Sequence, residues 1–433
     1  MRTTRLVFLL AATAVPAVAA AQEHPLPDSL DIEVRRLRAR VDSLERLIQQ
    51  LVREGRDTVR AGDELAALRR AAQEAAGRAE PPDTADQQSR TRSLQALNPE
   101  ISVTGDIVGN YTAPAGEAGA ASAAAREFEF AFQAPLDPYT RTKVFITRHE
   151  DFAIAGLEAL HAHDGEAGEE DHGQGFEIEE GYLYWVGLPG GLGAKIGKFR
   201  QEIGLYNRWH THALNEIDRP LAATTFLGED GLIQTGLAVT LPTLTLGPAT
   251  QTLVFQATRG SNGALFAEGS EPAFLGRFQS FWDLSTTSYL QLGATGVVGE
   301  NDEVGLASRL LALDVAFRWT PPQARFHDFQ LKSEWYVSER EIGGLLETAQ
   351  GGYAQANYRL DRRWVVGARA DYVEGFGSVP AIVQVAPTIT WWQSEWVRLR
   401  LQYNYVKPEG FDASHTVLVQ AVWAAGPHKH ETY

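Results

Sequence analysis

Histidines and acids cluster between residues 158 and 172, a stretch without Lys or Arg. Imidazole nitrogens and carboxylate oxygens are ligands for Zn²⁺, and a His-x-His pair can present two nitrogens on one side of an extended segment. The predicted metal ligands are His161, His163, Asp164 and His172. A solvated acidic loop has the same composition. The segment therefore either binds Zn²⁺ weakly or is a solvated loop, and in both cases we predict no resident cofactor.

A second His-x-His pair lies between Gly204 and Glu229, in a segment that mixes apolar and polar residues. A loop surrounded by water would not need Leu, Trp and Phe side chains, so we expect the segment to pack against the rest of the protein. Its polar and amphipathic members are the candidate functional residues. They are Arg208, Trp209, His210, His212, Asn215, Glu216, Asp218 and Arg219.

Catalysis would need more than paired histidines. The sequence contains no G-x-S-x-G nucleophile motif, no phosphate-binding P-loop, no G-x-G-x-x-G and no H-E-x-x-H. We therefore predict that the protein is not an enzyme. The formal net charge of −16 also disfavours a role in binding nucleic acid.

From residue 99 onward, apolar and polar residues alternate with a period of two, as in Val397 to Tyr405. The pattern predicts sixteen strands whose connections alternate between tight and long, for example 324–338 and 349–360 with a long connection between them. Such strands are long enough to cross a lipid bilayer. We predict an all-β fold over 99–433, an up-and-down antiparallel transmembrane β-barrel. A soluble sandwich also alternates, but strand length and loop parity favour the barrel.

A barrel places every second side chain in its lumen. The segment 204–229 is then the third long connection, and we predict that it folds into the lumen and forms a constriction. The alternative is that its apolar residues cap the barrel mouth or contact a neighbouring protomer. The main predicted lumen charges are Glu127, Glu129, Lys198, Arg200, Arg369, Asp371, Arg398 and Arg400, with Lys143, Lys195, Lys332 and Glu334 as further candidates.

Residues 1–21 have the features of a secretory signal peptide. Arg2 and Arg5 precede an apolar run from Leu6 to Val15, and Ala19-Ala20-Ala21 supplies a cleavage site before Gln22. The chain has no cysteine, so it forms no disulfide and no thiolate metal site. These features predict export, and with the barrel they predict the bacterial outer membrane, where lipid is a partner.

Residues 28–54 repeat apolar residues in heptads, with Val34, Val41 and Ile48 at position a and four leucines at position d. The repeat predicts a periplasmic coiled coil with a weak helical extension to 79, followed by a polar linker over 80–98. A helix that packs on its own barrel is the alternative. β-branched residues at a with Leu at d favour two strands, whereas barrels of this kind usually form trimers. We expect the barrel to decide, giving a homotrimer.

Several motifs carry a family resemblance. They are EEGYLY at 179–184, GLPGGLGAKIGKF at 187–199, HTHAL at 210–214, LHAHDG at 160–165 and GPHKH at 426–430. The chain resembles bacterial outer-membrane β-barrel proteins described as zinc-regulated and, more distantly, phosphate-selective porins. It departs from TonB-dependent receptors, which carry a globular plug ahead of a 22-stranded barrel. The resemblance implies a channel whose expression responds to zinc, with His161, His163, Asp164, His210 and His212 as positions to test.

These features together predict an outer-membrane porin-like channel for passive diffusion of small polar or charged solutes, with a link to zinc or other metal ions. A metal-binding receptor and a structural envelope anchor are the alternatives that the sequence leaves open.

Overall fold

The computed structural model describes residues 99–113, 119–150, 175–266, 268–301, 305–321, 326–342, 344–377 and 379–426. The predicted signal peptide, coiled coil and linker lie outside these residues. So do the predicted metal ligands His161, His163, Asp164 and His172.

The described residues form an almost entirely β structure with one short helix, α1 (Leu221–Leu227). No helix among them is long and apolar enough to cross a membrane. The strands are β1 (Glu100–Ala113), β2 (Ala120–Pro135), β3 (Thr140–His149), β4 (Glu177–Leu188), β5 (Leu192–Arg200), β6 (Ile233–Thr240), β7 (Leu244–Leu246), β8 (Ala249–Ser261), β9 (Glu268–Ser285), β10 (Ser288–Glu300), β11 (Ala307–Trp319), β12 (Asp328–Ile342), β13 (Leu345–Arg359), β14 (Trp364–Glu374), β15 (Ile382–Trp392), β16 (Val397–Pro408) and β17 (Ser414–Ala425).

The strands close into a barrel. Neighbouring strands pair antiparallel in chain order, except that β6 pairs with β8 and not with β7. β1 pairs with both β2 and β17, so no edge is left open. β6 and β7 are successive pieces that both pair with β8, and they share one place in the wall. The seventeen strands therefore make a wall of sixteen positions. The predicted sixteen-stranded antiparallel barrel is confirmed.

The wall is apolar outside and polar inside. On β16, Leu399 and Leu401 are 42% and 46% exposed, whereas Arg400 and Gln402 are 4% and 0% exposed. Because side chains alternate along a strand, the exposed apolar residues form the outer face and the buried polar residues face the lumen. A soluble β-sandwich has the reverse arrangement, with apolar side chains between its sheets and polar side chains outside. The exposure pattern therefore distinguishes this fold from a sandwich.

One predicted long connection is wrong. β12 continues to Ile342 and β13 begins at Leu345, so two residues join them where the sequence pattern placed a loop over 339–348. The pairing Arg340↔Glu347 lies inside this extended hairpin. Gly344 has a φ of 79°, a conformation that glycine adopts without steric cost and that tight hairpin turns need.

The connection between β5 and β6, residues 201–232, lies in the lumen and supplies most of its apolar packing. We refer to it as the inserted loop. Its helix α1 buries Leu221, Phe226 and Leu227 to 1% exposure. These side chains share one apolar cluster with Tyr336 of β12 and Val373 of β14. The apolar core of the protein therefore lies inside the barrel.

Candidate functional site

The inserted loop enters the lumen at a glycine that no other residue could replace without strain. Gly204 has a φ of 54°, and a Cβ on it would overlap the Glu334 carboxylate of β12. That carboxylate accepts hydrogen bonds from the backbone N–H groups of Leu205 and Tyr206, both at 2.8 Å. The close approach of backbone to carboxylate anchors the first turn of the loop.

The two ends of the inserted loop are held together by one side chain. The Asn207 amide donates to the carbonyls of Gln201 at 2.8 Å and Leu232 at 3.0 Å, and its oxygen accepts from the Leu232 N–H at 2.7 Å. Asn207 is only 1% exposed, so these bonds are shielded from water. The loop is thus closed at its base before it extends across the lumen.

The loop then crosses from one wall to the other. The Tyr206 hydroxyl oxygen lies 2.7 Å from the side-chain amide of Gln355 on β13. Four residues later, His210 contacts carboxylates on β2 and β4. β4 and β13 occupy the fourth and twelfth of the sixteen wall positions, half a circuit apart. The segment from Tyr206 to His210 therefore divides the lumen at this level.

Asp218 clamps the far side of the inserted loop. One carboxylate oxygen accepts from Arg369 at 2.9 Å and Gln402 at 2.6 Å. The other accepts from Gln384 at 3.0 Å and Asn404 at 2.7 Å. These donors come from β14, β15 and β16, so a single carboxylate joins the loop to three adjacent strands. Burial raises the pKa of Asp218, but the Arg369 guanidinium and the amide donors lower it further, and the net pKa lies below the ordinary value.

Arg400 on β16 holds the loop backbone. Its guanidinium donates to the carbonyls of Glu216 at 2.6 Å and Leu214 at 2.8 Å. The neighbouring Gln402 accepts from the Ile217 N–H at 2.8 Å. An arginine that faces the lumen is here used to satisfy loop carbonyls that have no strand partner.

On another part of the wall lies a group of buried acids and histidines that we name the carboxylate–histidine cluster. His210 Nδ1 lies 2.8 Å from Glu129 and 3.1 Å from Glu179, and its Nε2 lies 2.8 Å from Glu180. His212 Nδ1 lies 2.9 Å from Glu127. The cluster comprises Glu127, Glu129, Glu179, Glu180, His210 and His212.

Two β-bulges build the cluster. Between Phe145 and Ile146 of β3, the pairing skips one residue of β4, so that Glu179 and Glu180 both turn inward. A second skip, opposite Asp106 and Val108 of β1, affects β2. There Glu127 is buried and Arg126 also bonds inward, to Asp106 at 2.5 Å. A bulge adds an unpaired residue and locally breaks the period of two.

Sequence reasoning missed Glu179, Glu180, Arg126 and Asp106. Strict alternation puts only one of two neighbours in the lumen, so it hides one member of each adjacent pair, whereas Asp106 follows the alternation of β1. The adjacent charges Arg126-Glu127 and Glu179-Glu180, each inside a strand, were the available signal. A charged pair on a strand that faces lipid on one side requires either a bulge or an exposed charge.

The two histidines of the inserted loop favour the protonated form. Burial lowers the pKa of His210, but Glu179 and Glu129 raise it more, and its pKa lies well above the ordinary range. Burial acts in the same direction on His212, and Glu127 outweighs it to raise the pKa. For Arg219, burial and the nearby Arg200 lower the pKa to about 10. The pKa of each titratable loop side chain thus depends on the charged strand residues that it faces.

The other predicted constriction residues are also in the inserted loop but differ in environment. Arg208 is partly buried, with a nitrogen 3.4 Å from a Glu202 oxygen. Trp209 packs beside Tyr206, Leu214 and Tyr353. Glu216 is fully buried and accepts a short hydrogen bond from the Tyr206 hydroxyl, whereas Asn215 is only half-buried. Arg219 donates to the Trp209 carbonyl at 2.9 Å.

The predicted lumen charges separate into two groups. Those that contact the inserted loop or the cluster are buried; they are Glu127, Glu129, Arg200, Arg369, Asp371 and Arg400. Lys198 instead donates to the Ile178 carbonyl in an exposed hydrogen bond. Arg398 is half-buried, with its guanidinium 5.4 Å from the centre of the Trp392 ring.

A small cavity of about 10 Å³ adjoins the cluster, with room for about one water molecule. Its lining is mixed in charge and in polarity. The lining residues are Phe145, Glu180, Tyr182, Lys195, Arg200, Arg208 and His210.

Comparison with solved structures places the fold among bacterial outer-membrane barrels. The anion-selective porin from Comamonas acidovorans has a TM-score of 0.51 at 11% identity, covering 76% of this chain and all of that one. The outer-membrane channel DcaP of Acinetobacter baumannii has a TM-score of 0.47 at 11% identity, covering 76% and 97%. The trimer form of OmpT from Vibrio cholerae has a TM-score of 0.47 at 8% identity, covering 76% and 100%. At this identity, the likeness to the Comamonas porin shows the fold.

Sequence comparison gives a shorter match. No protein-family model matches the chain. A protein of Aquifex aeolicus (strain VF5) is 28% identical over 232 residues, which are 46% of this chain and 48% of that relative. The matched part of this chain therefore spans about half the length of the relative.

Proposed function

We propose that the protein is an outer-membrane channel of the porin type, through which small polar or charged solutes diffuse without chemical conversion. The observation that carries the proposal is the closed barrel with an apolar outer face and a lumen lined by buried Arg, Asp, Glu and Gln. Lipid surrounds such an outer face, and a polar interior is the environment in which ions and small solutes travel.

The inserted loop is the proposed selectivity element. It crosses the lumen from β13 to β4, so a solute must pass beside it. The two parts of the lumen, one on each side of the inserted loop, differ in charge. Arg369 and Arg400 are used to hold the loop, while four carboxylates face His210 and His212. Width and the charge that faces the free space would then decide which solutes pass.

Assembly and placement extend the same proposal. We propose a homotrimer in the bacterial outer membrane, with residues 28–54 as a coiled coil in the periplasm. Support comes from the heptad repeat and from the barrel fold, and an exposed apolar outer face suits both lipid and neighbouring protomers.

Conductance in planar lipid bilayers tests the proposal. We would compare the mature protein with a variant in which a short Gly-Ser linker replaces residues 208–227 between Asn207 and Gly228. The replacement leaves the pairing of β5 with β6 in place. We expect small steps from the natural protein and steps several-fold larger from the linker variant, because the crossing segment is removed.

A matched variant replaces residues 151–174, a connection on the same rim, with the same linker. It should keep the small steps of the natural protein. Absence of conductance from the natural protein and from the 208–227 variant, both folded, would refute the channel and favour an envelope anchor.

A further inference from the structure

A compact set of possible ligand atoms lies where the inserted loop meets β2 and β4. One ligand atom from each of Glu127, Glu129, Glu179 and His210 lies within 4.8 Å of the other three. None of these residues is more than 5% exposed. Four such atoms in a buried volume are close enough to share one ion.

The spacing suits a small divalent cation. Zn²⁺ binds nitrogen and oxygen ligands at about 2.0–2.2 Å in a tetrahedral arrangement, so two ligands of one ion lie about 3.3–3.6 Å apart. Small side-chain movements would therefore bring the set to coordination distance. One imidazole with carboxylates is a donor set that first-row transition ions accept, whereas Ca²⁺ and Mg²⁺ prefer oxygen alone.

The imidazole of His210 is already oriented by a carboxylate that is not part of the set. Glu180 lies 2.8 Å from Nε2, which leaves Nδ1 facing Glu129 at 2.8 Å and Glu179 at 3.1 Å. A carboxylate that accepts a hydrogen bond from the outer ring nitrogen is the usual support of a metal-binding histidine.

An oxygen of Glu127 gives independent evidence for a ligand. Oε1 of Glu127 contacts His212 at 2.9 Å, but Oε2 is buried without a hydrogen-bond partner. Leaving a carboxylate oxygen unsatisfied away from water is costly, and an ion is one of the partners that would satisfy it.

The charge of the carboxylate–histidine cluster also favours a cation. Glu127, Glu129, Glu179 and Glu180 bring four carboxylates together. Arg200 is the guanidinium that contacts them, through Glu179 and, at 3.8 Å, Glu180. The nearby Arg219 donates instead to Thr211 at 3.3 Å and to the Trp209 carbonyl. Even with His210 and His212 counted as cations beside Arg200, the four carboxylates are in excess, which favours a cation at this place.

We propose that the carboxylate–histidine cluster binds one divalent transition-metal ion of the zinc class through Nδ1 of His210 and the carboxylates of Glu127, Glu129 and Glu179. Glu180 is a positioning residue. The ion would join the inserted loop to β2 and β4, away from the strands that hold the Asp218 clamp. The proposed metal site does not depend on whether the protein is a channel.

Calorimetric titration with ZnCl₂ tests the site in the mature protein, after removal of bound metal with a chelator. The background variant carries His161→Ala, His163→Ala and His172→Ala, because that segment is a rival source of zinc ligands. We expect this background to retain one equivalent of Zn²⁺. Adding Glu129→Gln and Glu179→Gln should weaken that binding by at least about tenfold, since both lost groups are ligands.

Glu177→Gln is the matched control. Glu177 lies on β4 like Glu179, but its side chain is half-exposed and lies 3.8 Å from His149, which is outside the cluster. It should leave Zn²⁺ affinity unchanged. Zinc-edge X-ray absorption of the background variant should show nitrogen and oxygen ligands at about 2.0–2.2 Å with one imidazole. Electrophoretic mobility with and without heating verifies that each variant is folded.

Two results would overturn the site. One is full loss of Zn²⁺ binding in the background variant, which would assign the metal to residues 158–172. The other is unchanged affinity in the folded Glu129→Gln, Glu179→Gln variant.

Discussion

The carboxylate of Asp218 carries much of the attachment of the inserted loop, since four donors from three strands converge on it. Removing one partner from a buried ion pair typically costs about 3–5 kcal/mol, because the other charge is left without compensation. Here that charge is Arg369, which is about 1% exposed and also bonds Asp371 at 2.8 Å.

Acid should weaken this attachment. The folded-state pKa of Asp218 lies below its ordinary value of 3.8, so its contribution to stability is present above that value and is lost as the pH falls through the lower, folded pKa. Thermal unfolding in detergent, followed between pH 5 and pH 2.5, should show a decrease in the melting temperature of the natural protein below about pH 3.8.

Asp218→Asn is the comparison for this decrease. The variant should melt at a lower temperature at pH 5, and the difference from the natural protein should shrink as the pH falls. Parallel pH curves for the two proteins would show that Asp218 does not cause the acid sensitivity.

Entry of the inserted loop into the lumen depends on one turn. Gly204 adopts a left-handed conformation against the Glu334 carboxylate, and from there the chain reaches Tyr206, then the opposite wall at His210. The bulges on β2 and β4 act at the other end of this crossing, by supplying the carboxylates that receive the histidines. Irregular backbone at three places thus positions a loop that regular strands alone would not hold.

Gly204→Ala should release the loop from the wall. A left-handed alanine costs roughly 1–2 kcal/mol, and the added methyl group would also push away the carboxylate that binds the Leu205 and Tyr206 N–H groups. We expect trypsin to cleave after Arg208 several-fold faster in the folded variant, measured by mass spectrometry of the fragments.

Gly263→Ala serves as the control for that experiment. A Cβ on Gly263 has open space around it, so cleavage after Arg208 should match the natural protein. Equal cleavage rates in both glycine variants would mean that the turn at Gly204 does not anchor the loop.

The whole molecule presents two different surfaces to its surroundings. The outer wall exposes Leu401, Val419 and Phe255 at 46%, 53% and 51%. The lumen contains the inserted loop and is lined by polar side chains. A closed barrel satisfies every strand partner, so this arrangement is stable in lipid and would be costly in water.

Leu401→Arg tests where the membrane lies. Leu401 is near the middle of β16, and Arg on the lipid face at the bilayer centre costs about 2–4 kcal/mol. Folding into phospholipid vesicles, titrated with urea and measured by gel mobility, should show this loss. Leu346→Arg, near the end of β13 at the rim, should cost about 0–1 kcal/mol. Equal costs at the two positions would contradict a bilayer centred on the strands.

Strand alternation was enough to predict the barrel, because a period of two with apolar residues on one face is a local property of each strand. Tight connections could be found from Pro, Gly and Asp, as at Asp361, which accepts from the N–H groups of Arg363 and Trp364 at 2.7 and 2.8 Å. The hairpin between β12 and β13 was missed because its alternation continues through residues that also suit a loop.

Composition alone also singled out 204–229 as a segment that must be covered, since its apolar residues had no place in water. Which strands the segment 204–229 contacts is determined only by the closed barrel. Glu129 and His210 are far apart in the chain, and their contact depends on the circumference of the wall, on two bulges and on a left-handed glycine. Periodicity is readable residue by residue, whereas the meeting of distant side chains in a lumen follows from the closure of the entire sheet.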